Sequence, residues 1–217
     1  MSVDAFPCLR FGPLKTRETP KQVRAVRRIH LILNTTAHLL SETPLQSITT
    51  TMIANEAGIP VSSIYRYFSD VTHVLNELYL QSAQELRDRI VEIADDRQTW
   101  PAWKDRVHQI ILSQRNHIQN NPHCAPLLMH FVSQRPAVAA EDQQREYVTD
   151  FLEMRWKQGL DGFHDGDPRV VAQTVLQIAV TMEDLIAAQS TLFHADVFAK
   201  ETLTVLTSYL SNYLTDD

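Results

Sequence analysis

Apolar residues recur every three to four positions along most of the chain, a period that predicts helices, and no alternating strand segments or internal repeats occur. Val26, Ile29, Ile32 or Leu33, Ala37 and Leu40 form one stripe and predict a first helix over 20–41. A long helix over about 70–93 carries Val74, Leu75, Leu78, Leu86, Ile90 and Ile93, and Asp70 opens it. Trp103, Val107, Ile110, Ile111 and Ile118 predict a helix over 101–120 that Asn120-Asn121-Pro122 ends. A short apolar helix over 126–133 follows. After Arg135-Pro136 comes a longer one to Gly159 with Val138, Tyr147, Val148, Phe151, Leu152, Met154 and Trp156. Two glycines and three aspartates make 161–168 the clearest loop, and helices over about 168–192 and 195–214 close the chain. With the two short helices treated next, the expectation is an all-α protein of about nine helices.

Between the first and the long helix lies Ser47 to Phe68, whose pattern is shorter and sharper. Thr49 can cap a helix start and Gly58 can supply the positive φ of a tight stop after Ala57. Pro60 suits the first turn of a new helix, which predicts a second short helix over 61–67 and hence a helix-turn-helix. Ile53, Ala54 and Ala57 on one helix, and Ile64 and Phe68 on the other, share buried faces. Val61, Ser62, Tyr65 and Arg66 are left facing outward. An exposed helix edge of short hydroxyls, a tyrosine and an arginine suits a DNA major groove, although the same shape also serves as a plain helical corner.

The run Thr49-x-x-x-Ile53-Ala54-x-x-Ala57-Gly58-Ile59, followed by Ser63-Ile64-Tyr65-x-Tyr67-Phe68, resembles the DNA-binding signature of the TetR family of bacterial transcriptional regulators. The likeness spans roughly residues 24–80. It implies an N-terminal three-helix DNA-binding domain (20–70), preceded by an arm (1–19) and followed by a helical ligand-binding and dimerisation domain (71–217). It also implies that Thr50 and Thr51 lie against DNA, that Val61, Ser62 and Tyr65 approach base edges, and that Ser63 and Tyr67 hold phosphates. The sequence departs from the family at three places. Ser62 stands where members commonly have glycine, Val71 where they have lysine, and Thr43-Pro44 where a glycine is frequent. Losing the lysine removes a phosphate contact, and Asp70 beside it would repel the DNA backbone unless it caps the next helix.

The net charge of −6 changes meaning once it is divided along the chain. Residues 1–73 hold eight Lys/Arg against five Asp/Glu, whereas residues 74–217 hold twelve against twenty-one. The basic end is the end with the motif, as expected of a head drawn to DNA and a body repelled by it. Lys21, Arg24, Arg27 and Arg28 crowd the start of the first helix, where cations oppose the macrodipole unless phosphates sit there. Arg10, Lys15 and Arg17 in the arm are either a solvated tail or added phosphate and minor-groove contacts.

At 217 residues, 44% apolar, the chain can bury a sizeable core. No run approaches the roughly 18 apolar residues of a membrane span, and residues 1–11 lack the apolar core of a signal peptide. Cys8 and Cys124 form no CxxC pair and suit a reducing compartment, so a cytoplasmic location is expected.

The last two helices carry more apolar surface than one body needs; an antiparallel pair of this kind can join its two-fold mate as a four-helix bundle, or the same faces can form an internal core, since periodicity alone does not say whose surface is covered. The resemblance likewise implies a homodimer through these helices, binding a double-stranded operator with half-sites about one DNA turn apart. It also implies a cavity in the middle helices for a small, mainly apolar effector, with Trp103, Met129, His130, Phe131, Tyr147, Phe151, Trp156 and Met182 as wall candidates; each is equally explained as core. His108, His117, His123, Cys124 and His130 are metal-ligand types without ligand spacing, so no metal or cofactor is expected. No G-x-S-x-G, phosphate-binding glycine loop or Cys-His signature supports catalysis. The expected function is a repressor released by its effector. A regulator of the same fold answering to a protein partner or to nothing, and a helical-bundle enzyme with a purely structural corner, are the alternatives.

Overall fold

The computed structural model describes residues 20–132, 139–187 and 192–215. The arm (1–19), Arg135-Pro136 and Val138 lie outside them. Nine α-helices are present among the described residues: α1 (Pro20–Glu42), α2 (Thr50–Glu56), α3 (Val61–Tyr65), α4 (Val71–Asp95), α5 (Trp103–Asn120), α6 (Cys124–Val132), α7 (Ala139–Lys157), α8 (Pro168–Ala187) and α9 (Leu192–Leu210). None of them is long and apolar enough to cross a membrane. The chain divides into two compact units: residues up to Glu85 with Asn121–Leu127, and Leu86–Asn120 with Leu128–Asp217.

The first unit is built on the stripe of α1, where Ile32, Leu33, Thr36 and Leu40 are buried. Thr36 takes the place the period gave to half-buried Ala37, because its hydroxyl is satisfied by donating to the Ile32 carbonyl one turn back at 2.8 Å. A 3-10 turn, Leu45–Ser47, follows Pro44 and buries Leu45. α2 packs on α1 and on α3, and Ile53, Ala54, Ile64 and Phe68 join Val74, Leu75 and Leu78 of α4 in the core. The expected stripe of α4 is thus buried over its first half; further along, Leu86 and Ile90 are half-buried and Ile93 is buried.

In the second unit α8 packs on α9 and on α7, and α5 packs on α9. Trp103, Ile111, Trp156, Val171, Val175, Leu206 and Leu210 lie in one buried cluster. The Phe163 ring stacks on Trp156 at 5.4 Å between centroids and on Tyr213 at 6.4 Å. The stretch 161–168 is largely the loop its composition suggests, exposed over 164–167, but its start is structured. It opens with a 3-10 turn, Leu160–Gly162, whose Asp161 is buried between two arginines. Asp161 accepts from Arg106 Nη2 and, at 2.7 Å, from Arg155 Nε. Arg106 Nη1 donates to the carbonyls of Trp100 and Pro101, and Arg155 Nη1 to Asp95, each at 2.6 to 2.7 Å. Burial lowers the Arg106 guanidinium below its usual range, and Asp161 opposes that shift. α9 starts three residues before the expected 195 and ends at Leu210 instead of 214, because residues 211–213 turn to bond this same stretch. His164 N–H donates to the Tyr213 carbonyl at 2.9 Å, and Thr215 N–H to that of Asp161 at 3.2 Å.

Candidate nucleic-acid interface

Three consecutive threonines set the corner. Thr49 is the N-cap of α2, and its side chain accepts from the Met52 N–H at 3.2 Å. Thr50 shares a hydrogen bond of 3.2 Å with the hydroxyl of Tyr65 at the end of α3. Thr51 is exposed.

Between the helices Gly58 has φ +63°, and the Ile59 N–H reaches the Ala54 carbonyl while the Gly58 N–H reaches that of Asn55. This is the paired closure of a Schellman motif, which an L side chain resists through its φ. A Cβ added there would meet nothing within 4 Å, so the requirement for glycine is conformational and not one of space. Pro60 is the N-cap of α3 with ψ 142°, directly before the helix start expected at 61. α3 itself is shorter than the expected 61–67, with Arg66 as its C-cap and Tyr67 in the following turn. The cause is local: the N–H groups of Tyr67 and Phe68 both return to the Ile64 carbonyl, so the chain tightens as Phe68 turns into the core.

Ile64 is fully buried and anchors α3, leaving Ser62, Tyr65 and Arg66 exposed, Tyr65 at 54%. Val61, Ser63 and Tyr67 are half-buried, as is Thr50. The corner therefore brings Thr50 and Tyr65 into contact and leaves short hydroxyls and one guanidinium on its open edge. Asp70, the residue that could repel phosphates, is occupied. One carboxylate oxygen accepts the His73 N–H at 2.9 Å, and the other accepts the Ser69 hydroxyl at 3.1 Å and pairs with the His73 ring at 3.3 Å. The capping bond is the main reason its carboxyl sits below the usual carboxylate range. Sequence reasoning anticipated the cap but not Ser69 and His73, nor the Thr50–Tyr65 bond, which spans fifteen residues and has no periodic signal. On α1, Arg24 and Arg27 are exposed, and Arg28 is half-buried.

The effector-wall candidates are spread through different environments. Trp103 and Trp156 belong to the buried cluster of the second unit. Phe131 is also buried, edge-on to His130 at 5.0 Å. Met129 is exposed, and so is Tyr147, whose ring lies under the Arg87 guanidinium at 5.0 Å. Phe151 and Met182 are half-buried. Among the described residues no group of three or more His, Cys, Asp or Glu is arranged to hold a metal ion.

Fold and corner together define an all-helical protein with an N-terminal helix-turn-helix. Residues 32–78 match the model of the tetR family of bacterial regulatory proteins. No curated protein matches the chain by sequence. Among solved structures, a TetR-family transcriptional regulator from Pectobacterium atrosepticum superposes with a TM-score of 0.72 at 13% identity, covering 91% of this chain and 98% of that one. SmeT, the repressor of the Stenotrophomonas maltophilia multidrug efflux pump SmeDEF, gives 0.64 at 13% identity over 87% and 91%. The fatty acid degradation regulator FadR from Bacillus halodurans gives 0.63 at 13% identity over 88% and 96%. Residues 32–78 are thus similar to the N-terminal domain of the tetR family, and the chain shares its fold with TetR-family structures.

Proposed function

We propose that the chain is a homodimeric, sequence-specific repressor that leaves a palindromic operator when a small, mainly apolar effector binds. The observation that carries the reading is the anchored corner: buried Ile64 fixes α3 while Ser62, Tyr65 and Arg66 stay open on its edge. In this reading residues 20–70 are the DNA-binding domain and 71–217 bind the effector and the second copy, with 1–19 as an arm. Val61, Ser62 and Tyr65 meet base edges. Thr51, Ser63, Arg66 and Tyr67 meet the phosphate backbone, which sets position and salt dependence more than sequence preference.

Dimerisation through α8 and α9 is supported by apolar side chains that the unit's own core leaves open, Val170, Leu185, Val197 and Val205. Repression is the role of SmeT, a protein of the same fold. An effector that prefers the DNA-incompetent state by about 1.4 kcal/mol would weaken operator binding about tenfold. The aromatic residues of α5 and α7, with Met182, suit a mainly apolar molecule. The protein acts in the cytoplasm, where its operator is.

Selection of duplexes from a random pool, with the wild type and Tyr65→Ala at two salt concentrations, tests the proposal. Enrichment of a palindrome with half-sites about one turn apart, lost in the variant, is the expected result. No enrichment even at low salt sinks it. The enzyme alternative requires turnover that survives both Tyr65→Ala and Tyr67→Phe. Regulation by a protein partner is favoured if small-molecule screens give thermal stabilisation without loss of DNA affinity.

A further inference from the structure

We infer that Thr50 is a positioning residue for Tyr65, acting on DNA through the tyrosine and not by a contact of its own. The inference rests on the DNA-binding reading above and assigns Thr50 a role different from the direct one its place in the motif implies.

Tyr65 follows fully buried Ile64 and is itself 54% exposed, so burial does little to hold its ring. An exposed tyrosine side chain samples several staggered rotamers unless something holds its far end. Here the far end is held: its hydroxyl lies 3.2 Å from Thr50 Oγ1. Thr50 is a firm anchor because it is the first residue of α2, directly after the Thr49 cap, on a helix that packs against α3. The two short helices are thereby joined twice, by their apolar faces inside and by one hydroxyl pair at the outer edge.

The hydrogen count of that pair has a consequence. Two hydroxyls own two hydrogens, and one lies between the oxygens, whichever of them donates. With Thr50 as the donor, which its positioning role requires, the free hydrogen is the tyrosine's, and Tyr65 offers one outward O–H from a fixed place, suited to a phosphate oxygen or a base-edge acceptor. Because the ring is already oriented, binding need not freeze it. Immobilising a side chain of this kind on association weakens affinity by about two- to tenfold, which is the advantage Thr50 confers.

The test uses the full-length protein labelled with 3-fluorotyrosine, the Tyr65 line among the six tyrosines being assigned by its loss in Tyr65→Phe. Thr50→Val removes the hydroxyl at nearly constant shape, and Thr50→Ser keeps it. The Tyr65 fluorine line should hold its shift in Thr50→Ser and move toward that of an unrestrained tyrosine in Thr50→Val. Affinity is then measured for the duplex enriched by the wild type or, if none is enriched, for a mixed-sequence duplex at low salt. Thr50→Val and Tyr65→Phe should each weaken binding by about three- to tenfold, and the double variant by no more than the larger single effect. Thr50→Ser should stay within about twofold of the wild type.

A fluorine line unmoved by Thr50→Val overturns the inference whatever the DNA result. Effects that multiply in the double variant overturn it too, since Thr50 would then meet DNA by itself. If the wild type binds no duplex, the DNA-binding reading fails and the role in recognition falls with it, while the fluorine shift still decides whether Thr50 holds the ring.

Discussion

Replacing Asp161 by asparagine should destabilise the second unit by about 3–5 kcal/mol, the usual cost of breaking a buried ion pair from one side. Asp161 and its partners Arg106 and Arg155 have side chains 3–6% exposed, so water cannot replace what is lost. Asparagine keeps one acceptor oxygen for Arg106 and for Arg155 Nη2. Its amide nitrogen, however, takes the place of the oxygen that accepts from Arg155 Nε, setting donor against donor. Asparagine also tolerates the φ of +62° at this position, so the charge is tested separately from the backbone. Alanine lacks that tolerance and should cost roughly 1–2 kcal/mol more.

The assay is selective because all three tryptophans, Trp100, Trp103 and Trp156, belong to the second unit. Urea unfolding followed by tryptophan fluorescence should show the midpoint falling by roughly 1–5 M in Asp161→Asn, given slopes of about 1–3 kcal/mol per molar. Adding Arg106→Met and Arg155→Met removes the stranded cations and should restore most of the loss. A loss below about 1 kcal/mol in Asp161→Asn would show that water or rearrangement satisfies the guanidiniums, and the buried cluster would then not be a stability determinant.

Gly58→Ala should cost the first unit roughly 1–2 kcal/mol from backbone strain alone, read as lost hydrogen-exchange protection at the Ile59 amide; unchanged protection would contradict the φ argument. Gly58→Asn should be milder. Burial lowers the pKa of His117, so the unfolded chain takes up a proton that the folded chain resists. Stability should therefore fall as pH drops below about 6.5 and level off once the lowered folded value is passed; His117→Gln should flatten that slope in fluorescence-detected urea midpoints, and an unaltered slope would count against it. Arg169 meets Glu146, Asp150 and Glu153, and these acceptors raise its pKa. The cluster is open to solvent, so Arg169→Ala should leave the urea midpoint close to that of the wild type in the same assay, and a clear fall would mean that the three carboxylates act as a network.

Residues whose role follows from a local rule were legible in the sequence. Thr49 as cap, Gly58 as stop, and Ile53, Ile64 and Phe68 as buried face all follow from spacing, because helix ends and stripes depend on neighbours within about one turn. Asp161 was not legible. An aspartate among glycines reads as a loop, and its partners stand 55 residues before and 6 before it on other elements. Thr36 in place of Ala37 escaped for a related reason, since a threonine that bonds its own helix counts as polar in the pattern but behaves as apolar in the fold. The Thr50–Tyr65 contact depends on how two short helices cross, which no single-helix period encodes. The spread of the effector-wall candidates between core and surface likewise depends on packing and not on residue type.

The three threonines of the corner also bear on how its preference for DNA can be changed. Thr49 is committed to the Met52 amide and Thr50 to the Tyr65 hydroxyl, while Thr51 is exposed, with Ser62 open on the neighbouring helix. Mutational latitude at the corner is thus uneven between adjacent letters of one repeated codon family. A library randomised at Thr51, Val61 and Ser62, with Thr49, Gly58 and Ile64 held constant, would explore new operators without spending most of its members on chains that fail to fold.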